Sequence, residues 1–220
     1  MPLWQPQPAP GRYGALLFLL IIGYLLSAFI TEHWVETLQV VIFTITMILA
    51  LRSSSVSRRA VRVLLFAAVI GVPVMSVLAF STATGDTGSG IANIWTGLIL
   101  LAAVVLIVRR VLAFGTVTLQ SIYGALSAYL IVGLMFSSFF AAIYHFSGDH
   151  FFVSGETANP QTFQYFSFTT LTTLGYGDFT AAENSGRAVA VLEALTGQVF
   201  LATLVARLVA AFRSSGDRQN

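Results

Sequence analysis

The chain has 220 residues, 56% of them hydrophobic and only 9% charged, with a formal net charge of +2 and a mean hydropathy of +0.83. A soluble domain carries about a quarter charged residues, so this composition excludes one and points to an integral membrane protein. So small a net charge gives no sign of a nucleic-acid partner, and the absence of cysteine excludes disulfides and thiolate metal sites.

Residues 1–10 are Pro-rich and uncharged. The first apolar run lacks a small-residue cleavage site at the right distance, so no cleavable leader is expected. A helix needs about 20 apolar residues to cross a bilayer core of about 30 Å. Six runs approach that length, near residues 13–31, 34–51, 60–80, 91–112, 121–145 and 187–212. Only Glu32 and His33 separate the first two. Between the fifth and sixth lies a shorter stretch, 160–172, too short to span. It reads as a re-entrant helix, with Pro160 suited to its first turn. The expected fold class is therefore an all-α membrane protein with six transmembrane helices plus a re-entrant helix and loop.

Charge placement orients the chain. Every basic residue is Arg. Arg12, Arg52, Arg58, Arg59, Arg62, Arg109, Arg110, Arg207, Arg213 and Arg218 fall on one side of the six spans, and Arg187 alone on the other. The positive-inside rule puts the ten in the cytoplasm together with both termini. Glu32, Glu36, Asp86, Asp149, Glu156, Asp178 and Glu183 then lie outside. Regions follow: a cytoplasmic segment 1–12, a four-helix front half 13–112, a linker 113–120, a second half 121–212 and a polar tail 213–220. The front half has the topology of a voltage sensor, but 91–108 contains no Arg. A sensor needs spaced cations moving through the field, so none is expected to work here.

The richest stretch is Thr172-Thr173-Leu174-Gly175-Tyr176-Gly177-Asp178. Glycines two apart permit positive φ without a Cβ clash, so successive carbonyls can face one way. A Gly-Tyr-Gly-Asp segment alone could be a plain turn. Here it follows an apolar-aromatic helix and precedes a long apolar one. The stretch resembles the selectivity filter of potassium channels, and residues 121–212 resemble the pore domain of the tetrameric members of that superfamily.

The resemblance implies that carbonyls of Thr173, Leu174, Gly175 and Tyr176, with the Thr173 hydroxyl, hold dehydrated K⁺. Gly177 and Thr172 complete the loop, and the Tyr176 ring braces it from behind. Leu174 stands where Val or Ile is commoner. Tyr165 and Phe166 match the aromatic pair that cuffs the filter. Thr169 stands where some members carry a Glu that couples to the Asp after the filter, so Asp178 must find another partner. Gly186-Arg187 opens the inner helix. Gly197 matches a gating hinge, and equally a small residue for close helix packing. Gln198, Leu201 and Val205 then share the cavity face. Arg207 either lines the exit or, as favoured, snorkels to the lipid interface.

Glu193 lies one turn before Gly197, deep in an apolar run, where an ionisable group needs a partner. The expectation is a filter-supporting group that is protonated or bonded to the back of the re-entrant helix. The chain is thus expected to be a homotetrameric K⁺ channel of a prokaryotic plasma membrane, surrounded by lipid, with no catalysis and no cofactor beyond the transported ion. The rivals are a transporter subunit, which would repeat the loop, and a K⁺-binding sensor or accessory protein without channel activity.

Overall fold

The computed structural model describes residues 13–29, 71, 85–113, 117–147, 151–155 and 158–216. The expected second span, all of the third but residue 71, the acidic residues Glu32 and Glu36 and the basic cluster from Arg52 to Arg62 lie outside the described residues. So do Arg12, Asp149, Glu156 and Arg218.

Five helices are described: α1 (Tyr13–Phe29), α2 (Gly85–Ala113), α3 (Leu119–Ser147), α4 (Pro160–Leu171) and α5 (Asn184–Gly216). Extended pairing among the described residues is limited to one isolated antiparallel bridge, Phe152 with Ala181. Three helices are long and apolar enough to cross a membrane, over Asp86–Leu112, Leu119–Ser147 and Asn184–Arg207. At 12 residues, α4 reaches only about 18 Å.

α3 is the hub. One face takes α1 and α2 in a cluster built from Tyr13, Leu16, Leu20, Ile107, Val111, Ala125, Ala128 and Ile131. Small residues on α3 let these helices approach closely. The other face meets α4 in an aromatic cluster of Phe136, Phe140, Phe151, Phe152, Phe163 and Phe166. Phe140 and Phe166 meet edge-to-face at 4.9 Å, the arrangement that ring quadrupoles favour. The residues following α3 are clamped to those following the Thr172–Asp178 stretch, Val153 N–H to the Thr180 carbonyl at 3.0 Å and Ala182 N–H to the Phe151 carbonyl at 2.8 Å.

α4 starts as its sequence predicts. Asn159 is extended and its side chain accepts the Thr162 N–H, with Pro160 in the first turn. It ends at Thr172, whose N–H returns to Phe168 and Thr170 carbonyls. α5 differs from α3: only 11% of its membrane-length stretch is buried, against 61% for α3. Val191, Leu192, Leu195, Val199, Val205 and Val209 are exposed on it. One chain leaves this apolar surface uncovered.

Candidate functional site

The loop from Thr172 to Asp178 is fixed by the last turn of α4. Thr173 N–H donates to the Thr170 carbonyl at 2.9 Å. Leu174 and Gly175 N–H groups both donate to the Thr169 carbonyl, at 2.8 and 3.2 Å. Donors on one edge of the loop are therefore turned back into α4. Among the described residues, no hydrogen bond ends on the carbonyls of Thr173, Leu174, Gly175 or Tyr176. All four residues are exposed in the single chain, so these carbonyls are open to a partner outside it.

Backbone handedness alternates along the same stretch. Positive φ occurs at Thr173 (57°), Gly175 (49°) and Gly177 (81°), every second residue. A Cβ at Gly175 or Gly177 would meet nothing within 4 Å. These glycines are therefore required by backbone conformation rather than by crowding. Thr173 is the unexpected member. A β-branched residue at positive φ is a strained outlier, and here the Thr173 hydroxyl donates to the Thr172 carbonyl at 2.7 Å. It also receives the Gln198 amide at 3.3 Å, so α5 touches the inner end of the loop through the polar residue the sequence placed on that face. Leu201 and Val205 are exposed further along α5.

Asp178 has the different partner that Thr169 requires. The Tyr165 hydroxyl donates to its Oδ2 at 2.7 Å, and the Phe179 N–H donates to Oδ1. The Tyr165 bond holds the Asp178 carboxyl below its ordinary range, and the same bond pushes the Tyr165 phenol up to about 12. Thr169 is buried and bonds its own helix at the Phe166 carbonyl. Phe166 lies in the aromatic cluster. Tyr176 is 70% exposed, so one chain offers its ring nothing to brace against.

Behind α4, Glu193 is fully buried. The Ser167 hydroxyl oxygen lies 2.5 Å from Glu193 Oε1 and 2.6 Å from the Gly133 carbonyl. One hydroxyl proton cannot serve both acceptors. The Gly133 carbonyl has no proton to give, so Ser167 donates there and the Glu193 carboxyl must donate to Ser167. The carboxyl is thus held protonated by geometry, which agrees with its burial in an apolar helix. Three helices meet at this hydroxyl: α3 at Gly133, α4 at Ser167 and α5 at Glu193. Glu193 Oε2 has no partner among the described residues. Nothing in the sequence marked Ser167 beyond its being polar in a buried helix.

Gly197 lies against the end of α4. A Cβ there would sit 2.2 Å from the Leu171 carbonyl oxygen, which makes close packing of α5 on α4 a requirement at this glycine. The same carbonyl accepts the Tyr129 hydroxyl at 3.2 Å. Gly186 is buried against Phe151, and Arg187 Nε donates to the Ala181 carbonyl. Arg207, at the end of the membrane-length stretch of α5, has protein partners. Its Nη1 donates to the Val111 carbonyl at 2.6 Å and its Nη2 to the Leu112 carbonyl at 3.2 Å. The C-terminal carbonyls of a helix lack intrahelical donors and carry partial negative charge, and the guanidinium of α5 supplies both needs of α2.

Residues 131–214 match the family model described as ion channel. This supports an ion-channel pore-domain family for the segment that holds α4, the loop and α5. Comparisons with curated proteins and with solved structures gave no match.

Proposed function

We propose that this chain, carrying an ion-channel pore segment, is a potassium-selective channel that conducts passively as a homotetramer. The observation that carries the reading is the loop itself: alternating positive φ at Thr173, Gly175 and Gly177, with four carbonyls free of internal donors. Rings of such carbonyls replace the hydration shell of K⁺. One chain supplies one edge of a ring, so four copies around an axis are needed. The exposed apolar face of α5 and the exposed Tyr176 ring favour neighbouring copies, against which that ring would pack.

In this reading α4 is re-entrant, its negative C-terminal end aimed at the ion, and six spans cross a prokaryotic plasma membrane. Arg109 and Arg110 at the end of α2 and Arg207 on α5 face the cytoplasm, while Asp86, Asp178 and Glu183 face outside. Arg-free 91–108 leaves α2 without gating charges.

The test is ion flux from liposomes holding the purified protein. K⁺ flux well above Na⁺ flux, lost in Gly175→Ala, is the expected result. K⁺ binding without flux in the wild type would replace the channel by a sensor or accessory protein, and equal K⁺ and Na⁺ flux would remove the selectivity.

A further inference from the structure

Two threonines stand side by side at the inner end of the loop, and their hydroxyls are committed differently. The Thr172 hydroxyl donates to the Phe168 carbonyl at 2.7 Å, back into the last turns of α4. The Thr173 hydroxyl donates to the Thr172 carbonyl at 2.7 Å and accepts the Gln198 amide at 3.3 Å. A hydroxyl has one proton to give and two lone pairs to offer. At Thr173 the proton and one lone pair are taken within the chain, and one lone pair is left. Thr173 is exposed in the single chain, so that lone pair is available to an ion.

The two partners are held by the same piece of backbone, the C-terminal end of α4. Thr173 N–H donates to the Thr170 carbonyl at 2.9 Å. Gly197, the residue before Gln198, packs so closely that a Cβ would sit 2.2 Å from the Leu171 carbonyl oxygen. That carbonyl in turn accepts the Tyr129 hydroxyl at 3.2 Å. Gln198 therefore starts from a fixed point on α5, and its amide reaches a hydroxyl 25 residues earlier in the chain. The Thr173 side chain is β-branched and stiff at χ1, so a single donor from α5 selects among few rotamers.

We propose that Gln198 is a positioning residue for cation selectivity. Its amide holds the Thr173 hydroxyl with the proton turned back to the Thr172 carbonyl and the oxygen presented to K⁺. This role presupposes the potassium channel proposed for the chain and adds to it a determinant on α5, outside the loop. Without the amide the hydroxyl can rotate, and its oxygen is no longer fixed. An oxygen free to move can close on the smaller Na⁺ as well, so one ligand of the cage discriminates less. A Gln that merely lined the pore would act through polarity, whatever the length of its stem.

The test compares K⁺ over Na⁺ flux ratios from liposomes holding the full chain. Gln198→Leu removes the donor, and Gln198→Asn keeps the amide on a stem one methylene shorter. Both should lower the ratio at least threefold while the denaturant unfolding midpoint stays that of the wild type. Thr173→Val removes the hydroxyl, and adding Gln198→Leu to it should lower the ratio no further. Thr173→Ser keeps the hydroxyl, and adding Gln198→Leu there should lower the ratio as in the native loop. A wild-type ratio in Gln198→Leu or Gln198→Asn, or a further loss on the Thr173→Val background, overturns the proposal. So does a lost ratio that comes with a lowered unfolding midpoint, which assigns a structural role. If Thr173→Val does not conduct, the Leu and Asn variants in the native loop still decide. Equal K⁺ and Na⁺ flux in the wild type removes the selective channel itself, an outcome distinct from a selective wild type that is indifferent to Gln198.

Discussion

Removing either side of the Ser167–Glu193 contact should have unequal effects, because the two groups are left in different situations. Ser167→Ala leaves a fully buried, protonated carboxyl with no acceptor for its proton, since Oε2 already lacks a partner. An unsatisfied buried group costs about 1–3 kcal/mol, so about 2 kcal/mol per chain is expected. Glu193→Leu removes one neutral hydrogen bond, worth about 1 kcal/mol net. It also removes the orphaned Oε2, and Ser167 still donates to the Gly133 carbonyl. The double variant has no stranded carboxyl and should cost only about 1 kcal/mol, giving a coupling of about 2 kcal/mol, within the range for residues in contact. Glu193→Gln keeps a donor for Ser167 and should stay within about 0.5 kcal/mol of wild type. Denaturant unfolding in micelles, followed by circular dichroism for all four variants, measures the cycle. An additive double variant, near 3 kcal/mol, would refute both the contact and the protonation argument.

Four further outcomes follow from the site. Gly177→Ala puts an L-residue at φ +81°, so K⁺ over Na⁺ selectivity in flux assays should fall; because the space around it is empty, a D-alanine introduced by semisynthesis should retain it. Gly197→Ala forces a Cβ against the Leu171 carbonyl and should destabilise the protein by about 1–3 kcal/mol, read as a lower unfolding midpoint. The Asp178–Tyr165 bond sets a pH window. The Asp178 value is depressed from 3.8 and its stabilisation is lost as pH falls below that range; the Tyr165 value is raised from 10.0 to about 12 and its stabilisation is lost as pH rises between them. K⁺ selectivity should therefore be flat from about pH 5 to pH 9, and Tyr165→Phe should remove the losses attributable to this bond at both ends. With no Arg in 91–108, open probability in planar bilayers should vary weakly with voltage; a steep curve with several gating charges per assembly would contradict this.

Much of the site was legible because it depends on local chemistry. Alternating glycines announce alternating φ, Asn159-Pro160 announces the start of α4, and a carboxyl inside an apolar helix announces a buried partner. The partners themselves were not legible. Ser167 is 26 residues from Glu193, and their meeting depends on how α4 crosses α3 and α5. Thr173 at positive φ was hidden because a β-branched residue argues locally against that conformation; the α4 hydrogen bonds around it override the preference. Tyr165 was read for its ring, and its hydroxyl proved to be the partner of Asp178. Gly133, buried in α3, carries no sequence signal either, yet a Cβ there would meet the Phe168 ring at 2.6 Å. Arg207 was read from its place near a membrane end, and its helix-carbonyl partners depend on tertiary placement.

The bonds from Arg207 to the Val111 and Leu112 carbonyls change what the connection between the two halves has to do. The chain already passes from α2 to α3 within a few residues, and the guanidinium closes the same junction a second time from about 95 residues further along. The covalent connection between α2 and α3 is then not the sole tie between the halves among the described residues. Doubling the length of a connection adds only about 0.6 kcal/mol of closure entropy, so Gly-Ser residues inserted between α2 and α3 should leave the halves in register. Severing the polypeptide at this point should still allow co-expressed fragments to reassemble. Arg207→Ala should reduce that tolerance, leaving the apolar packing of Ile107 and Val111 on α3 to hold the end of α2 in place.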